Sequence, residues 1–232
     1  MGFRPQFWPT VVTVPMLIAL VGLSIWQFNR YGWKADLIEK LNTRAESEAI
    51  DLPAAPPATD DLEFQRVRVT GTYLHDKEFH LVARSMRGNP GLHVFTPLRR
   101  ADTGGIELVN RGWVPGDRLD VATRSEGQLA GEVTVEGILR LTKGQGSFIP
   151  DNDPVKNVWF FIDPAAMAKA AGLEGLPQHY IVSGNTDVPG NFPVGKQWRI
   201  NLPNNHLEYA LTWLFMAMAL LVIYVVYHRK PR

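Results

Sequence analysis

Residues 203–232 read PNNHLEYALTWLFMAMALLVIYVVYHRKPR, and this stretch decides the fold class. From 209 to 227 run nineteen residues without a charge, which at ~1.5 Å per residue cover roughly 30 Å, the thickness of a bilayer's hydrocarbon core. Tyr209 and Trp213 sit near one end and Tyr224 and Tyr227 near the other, where amphipathic rings favour the headgroup zone. His228, Arg229, Lys230 and Arg232 then stop the run with a basic tail. The pattern predicts a transmembrane helix, since a buried helix of a soluble protein rarely carries both aromatic belts and a cationic stop.

The entry to this helix carries more information than the span. Asn205 is a good N-cap, Glu208 three residues later can complete a capping box, and Pro203 keeps the preceding chain extended. His206 therefore falls in the first turn, just outside the apolar run. At helical spacing His206, Tyr209, Trp213, Met216 and Leu220 share a face. The positive end of the helix dipole favours a neutral imidazole there, and a neutral imidazole with a free nitrogen is what a metal centre requires. The plainer alternative is a histidine that only hydrogen-bonds at the interface.

A second uncharged run of nineteen residues, 8–26, has a tryptophan at each end. Arg4 before it fits a cleaved signal peptide, but no small-x-small cleavage site follows, so an uncleaved anchor is expected, with a tolerated kink at Pro15. Two spans put both termini on one side. The cationic tail favours the cytoplasm for both ends, while Arg30 and Lys34 after the first span argue the other way. The middle section is placed outside the cytoplasm.

Between the spans, residues 31–48 read as a helix continuing the first span, with Trp33, Leu37, Leu41 and Ala45 every four residues. Pro53, Pro56 and Pro57 turn the chain into an extended linker. Short strands are then expected at 63–73, 78–85, 93–99, 106–114, 132–141, 158–162 and 179–182, with one helix at 165–171 opened by Asp163-Pro164 and closed by Gly172. The expected architecture is two transmembrane α-helices flanking an α+β domain dominated by an antiparallel β-barrel or sandwich. Its parts are a first span at 8–27, a helical extension and Pro-rich linker at 28–61, a β-rich domain at 62–202, a second span with capped entry at 203–227 and a basic tail at 228–232.

Composition narrows the function. With 24 basic and 23 acidic residues the net charge is +1, so nothing points to nucleic acid. The absence of cysteine removes disulfides, thiolate metal sites and cysteine nucleophiles together. No Gly-x-Ser-x-Gly, His-Glu-x-x-His, phosphate-binding loop or dinucleotide fingerprint occurs, so no catalytic residue is assigned and the chain is not read as an enzyme. The six histidines lack the helical i, i+4 spacing of a zinc site, and the His75, Asp76, Glu78, His80 cluster reads as a polar hairpin tip rather than a metal site. The stretch Leu108-Val109-Asn110-Arg111-Gly112-Trp113-Val114-Pro115 suggests a bulge that aims an arginine and an aromatic. It is either a recognition surface or, more plainly, an arginine paired with a carboxylate while the tryptophan fills the core.

Several blocks in order carry a resemblance. They are Pro9-Thr10, Trp26-Gln27-x-x-Arg30, Gly71-x-Tyr73-Leu74-His75, Thr96-Pro97-Leu98, the Leu108–Pro115 stretch, Val135-x-Gly137-x-Leu139-Arg140, and Pro203-Asn204-Asn205-His206-Leu207-x-Tyr209-Ala210-x-Thr212-Trp213. Across almost its whole length the chain resembles the surfeit locus one proteins, membrane-bound assembly factors for cytochrome c oxidase. The resemblance implies a bacterial inner-membrane protein, both termini cytoplasmic and the middle domain periplasmic, or its mitochondrial equivalent with that domain in the intermembrane space, that helps mature the haem–copper catalytic subunit by handling haem a bound transiently. It also implies that oxidase subunit, the bilayer and the haem a synthesis enzyme as partners. The family's proposed haem ligand falls on His206, and Tyr209 and Trp213, one and two turns deeper, are expected to help bind the cofactor. The alternative is a scaffold that binds no haem and packs against partner helices through Gly22, Ser24, Ala210, Ala217 and Ala219.

Overall fold

The computed structural model describes residues 2–54, 60–184, 187–198 and 202–230. Pro56 and Pro57 of the expected linker and Arg232 of the basic tail lie outside the described residues. In chain order the regular elements are β1 (Gly2–Phe3), α1 (Phe7–Glu46), β2 (Ile50–Asp51), β3 (Arg66–Tyr73), β4 (Phe79–Met86), β5 (Asn89–Arg100), β6 (Ile106–Pro115), β7 (Glu132–Leu141), β8 (Val158–Trp159), α2 (Pro164–Ala171), β9 (His179–Ser183), α3 (His206–His228) and β10 (Arg229–Lys230). They form two compact units, one of residues 1–40 with 200–232 and the other of residues 41–199.

The first unit is a helical hairpin. Both α1 and α3 are long and apolar enough to cross a bilayer. α1 runs unbroken through Pro15 and on to Glu46, so the predicted extension is one helix with the span. Residues withdrawn from the surface recur at alternating spacings of three and four, the period of a coiled-coil seam. On α1 they include Thr10, Thr13, Leu17, Leu20, Ser24 and Gln27, and on α3 His206, Ala210, Trp213, Ala217, Leu220 and Tyr224. The helices close on each other where small residues let backbones approach: Ala210 and Ala217 are buried, and buried Ser24 donates its hydroxyl to the Ala210 carbonyl at 2.9 Å. Ser24, Ala210 and Ala217 are thus spent inside the hairpin rather than offered to a partner helix, whereas Gly22 and Ala219 remain on the outer surface. At the far end Thr10 and Tyr224 share a hydrogen bond of 2.7 Å, and β1 pairs antiparallel with β10, Gly2 opposite Lys230.

His228 is not part of a solvated tail. It ends α3, is 2% exposed, and lies among the rings of Phe3, Tyr224 and Tyr227. Its Nδ1–H donates to the Tyr224 carbonyl at 2.8 Å, the i−4 position of the same helix.

The second unit is a closed β-barrel with added strands. The barrel order is β3-β7-β9-β6-β5, and β5 returns to β3 to complete the ring. Closure relies on divided strand edges. The first half of β3's free edge takes β2 in parallel, Ile50 opposite Val67, and its second half takes β5, Gly71 to Tyr73 opposite Arg100 to Leu98. A Cβ on Gly71 would stand 2.2 Å from the Arg99 carbonyl oxygen, so only glycine permits that close seam. The barrel is antiparallel except where β9 lies parallel to β6. Seven strands and the one helix predicted from sequence are all present, and Asp163 caps α2 through its side chain while Gly172 ends it in the left-handed region. β2 was not foreseen: the expected linker begins as a strand, and Leu52 is buried in the barrel core with Val67, Tyr73, Leu98, Val135 and Ile181. A second core forms where α2 covers β4, β5 and β8, built on Phe79, Phe95, Trp159, Ile162 and Met167.

Two buried charge networks knit the barrel. Arg100 donates to Asp102, Glu107 and the Leu52 and Pro53 carbonyls, and Glu107 also accepts from His179 at 2.8 Å. The Arg100 guanidinium holds the Asp102 carboxyl down at about 2. Arg124, with no exposed side-chain surface, is held by Glu78, which also accepts from His80 at 2.7 Å.

Candidate functional site

α3 begins without the capping box its sequence suggests. The Asn205 side chain makes no cap hydrogen bond, and the helix closes through backbone alone, Tyr209 N–H to the Asn205 carbonyl at 3.3 Å. The turn is fastened instead to α1, in three places. Lys34 Nζ donates to the Pro203 carbonyl at 2.5 Å, Asn204 Nδ2 donates to the Tyr31 carbonyl at 3.2 Å, and His206 Nδ1 meets Gln27 Oε1 at 2.7 Å. Gln27, Tyr31 and Lys34 are spaced by four and three residues, so one face of α1 supplies all three contacts.

The His206–Gln27 contact determines which imidazole nitrogen carries hydrogen. An amide oxygen only accepts, so His206 Nδ1 supplies the N–H to Gln27 Oε1, and in the neutral ring Nε2 then keeps its lone pair. Among the described residues no protein group bonds Nε2. A ring whose one N–H is committed to an oxygen acceptor while the other nitrogen stays basic is the arrangement metal-ligating histidines adopt.

Of the other expected site residues, Trp213 lies on the helix–helix seam, half-buried, two turns into α3. Tyr209 does not share that side: it is 56% exposed on the outer face with Met216. The face drawn through 206, 209, 213, 216 and 220 therefore divides, because the seam follows 206, 210, 213, 217 and 220. Gln27, Tyr31, Lys34 and Asn204 were missed as site residues. Gln27 stands in the Trp26-Gln27-x-x-Arg30 block, but sequence spacing does not reveal which residue of α3 it meets.

In the barrel unit, the Leu108–Pro115 stretch contains the expected bulge. Phe95 pairs with Asn110 and Val94 with Gly112, leaving Arg111 as the extra residue. Gly112 sits at φ 133°, where a Cβ would lie 2.0 Å from the Val194 carbonyl oxygen. Trp113 fills the core as expected. Arg111 forms no recognition surface and, among the described residues, pairs with no carboxylate: it is buried over the Tyr73 ring at 4.8 Å, with hydrogen bonds to the Gly127 carbonyl and to His75 Nδ1. His75 donates Nε2–H to the Leu129 carbonyl at 2.9 Å, so both its ring nitrogens are used. Burial pushes the Tyr73 hydroxyl up to about 12 and lowers both His75 and Arg111. No cluster of three or more metal-ligating side chains occurs among the described residues.

A family model described as the SURF1 family matches residues 14–218, and so takes in both helices and the barrel. The chain belongs to the SURF1 family. It is 38% identical to surfeit locus protein 1 of Mus musculus over 85% of this chain and 68% of that one, and 36% identical to the Homo sapiens protein over 87% and 71%. A SURF1-like protein of Monosiga brevicollis is 36% identical over 97% of this chain and 88% of its own length. SURF1 membership and two bilayer-length helices together mark a membrane protein.

Proposed function

We propose that this protein is an assembly factor for a haem–copper terminal oxidase, cytochrome c oxidase, and that it holds haem a transiently as cargo on the way to the catalytic subunit. One observation carries the reading: His206, at the mouth of α3, has Nδ1–H committed to Gln27, and no described residue bonds the Nε2 that would donate to iron. Trp213 supplies an aromatic wall on the same side of the helix, and Tyr209 stands where a ligand reaching the outer face would meet it. Membership of the SURF1 family supports the oxidase as client. The setting we infer is a bacterial inner membrane, both termini cytoplasmic and the barrel periplasmic, with the oxidase subunit and the haem a synthesis enzyme as neighbours. The two cations that opposed this orientation are both engaged within the helical unit, Arg30 over the Trp33 ring at 4.0 Å and Lys34 on Pro203.

The test is spectroscopic. The full-length protein is co-expressed with the haem a synthesis enzymes, purified, and examined for a low-spin haem spectrum. Wild type should carry haem and His206→Ala should lose most of it; equal haem in the two sinks the ligand assignment. A scaffold that holds the nascent subunit without haem predicts instead undiminished co-purification with that subunit when haem a synthesis is blocked.

A further inference from the structure

We propose that Gln27 is the positioning residue that makes His206 an oriented but releasable iron ligand. The inference rests on the haem-handling reading above and deepens it. The Asn205 side chain makes no cap hydrogen bond to the first turn of α3, and the imidazole is instead held from α1. Gln27 fixes the ring, while Tyr31 and Lys34 on the same face fix the chain just before it through Asn204 and Pro203. With Nδ1–H committed, the ring reaches the other neutral tautomer only if the Gln27 amide turns over to donate to Nδ1 or the 2.7 Å hydrogen bond is given up in a half-buried position.

The chemistry of the partner then sets ligand strength. Histidine ligands in metal sites commonly donate to a carboxylate, a backbone carbonyl or water, and a carboxylate raises imidazole basicity most because it stabilises developing positive charge on the ring. A side-chain amide orients the ring equally well and adds no charge. For a residue that passes its cargo on, a neutral acceptor gives the right tautomer without the tight grip of a permanent site. Gln27 is thus predicted to act on residence time through His206, without touching the iron.

Two measurements on the full-length protein in lipid nanodiscs test this, with ferric haem b as the probe. In the apo protein, 15N spectra of labelled histidine, assigned by difference from His206→Ala, should show His206 as the Nδ1–H tautomer, and Gln27→Leu should shift it toward Nε2–H. Haem b loss to excess apomyoglobin at pH 8.5 should be faster in Gln27→Leu by roughly 10- to 100-fold and slower in Gln27→Glu by on the order of tenfold. A purely structural role for Gln27 would move both variants the same way, and that outcome, or unchanged rates, overturns the proposal. An Nε2–H tautomer in wild type alongside His206-dependent haem retention refutes the Gln27 assignment alone. An Nδ1–H tautomer with equal haem loss from wild type and His206→Ala refutes the haem reading, and the tuning role falls with it.

Discussion

Ser24 and Ala210 meet inside the helix pair: the serine hydroxyl donates to the alanine carbonyl at 2.9 Å, and both residues are buried. The hydrogen bond is worth ~0.6 kcal/mol by analogy with other interhelical bonds in membranes, whereas the close approach depends on the small side chain. Ser24→Ala should therefore be mild. Ala210→Leu should force the seam apart at a cost of ~1–3 kcal/mol or more. Thermal unfolding of the detergent-solubilised protein would show the difference, and a larger loss from Ser24→Ala than from Ala210→Leu would contradict this account of the seam.

Glu78 lies between a fully buried arginine and a histidine. Burial opposes its ionisation, but hydrogen bonds from His80 and Arg124 outweigh that and hold its carboxyl below the usual value. Glu78→Ala strands the Arg124 guanidinium in the protein interior without its counter-charge. The expected loss is ~3–5 kcal/mol, enough to lower the barrel's melting temperature by about 10 °C. Circular dichroism melts would reveal it, and a drop of a degree or two would show that water reaches Arg124.

His93, on β5, is pushed down to about 4, first by burial and then by the charge of Arg84. Its Nδ1 accepts from Asn110 Nδ2 at 3.3 Å, a bond that protonation would destroy. Since the folded value lies below the unfolded one near 6.5, the unfolded chain binds the proton more readily between the two. The contribution is whole above pH 6.5 and is lost as pH falls toward 4, up to ~3 kcal/mol. Urea midpoints of wild type and His93→Gln, followed from pH 7.5 to 4, should converge as the pH drops. Parallel curves would mean that His93 titrates normally.

Glycine substitutions separate required positions from tolerant ones. Gly112→Ala combines a positive φ with a steric overlap on Val194, and Gly71→Ala pushes against the Arg99 carbonyl at the closing seam. Each should leave little folded protein. Gly22→Ala, with nothing within 4 Å of the new methyl, should express at the wild-type level. Yields of folded membrane-extracted protein decide the comparison.

Much of this was legible because local chemistry and global fold agree. Asp163, Pro164 and Gly172 each occupy the helix position their backbone preferences dictate, and Val67 and Val69 alternate as a half-buried strand requires. Asn205 and Glu208 met the letter of a capping rule that the chain does not use, because tertiary contacts from α1 hold the turn instead. Tyr209 and Trp213 fell together on a helical wheel with a 3.6-residue period and separate on a seam that follows a 3.5-residue one. Arg111 looked like an ion-pair partner, yet its hydrogen bonds go to a carbonyl and an imidazole brought from distant parts of the chain. Gln27 had no local signal, because its importance comes from a residue 179 positions away.

The pairing of Gly2 with Lys230 and Phe3 with Arg229 has a practical consequence for anyone labelling this protein. Residues 2–3 and 229–230 form one antiparallel ribbon, so reporters placed beside Gly2 and beside Lys230 sit next to each other. A cross-link or short peptide bridge joining these two strands would tie the outer ends of α1 and α3 together with little disturbance to either helix.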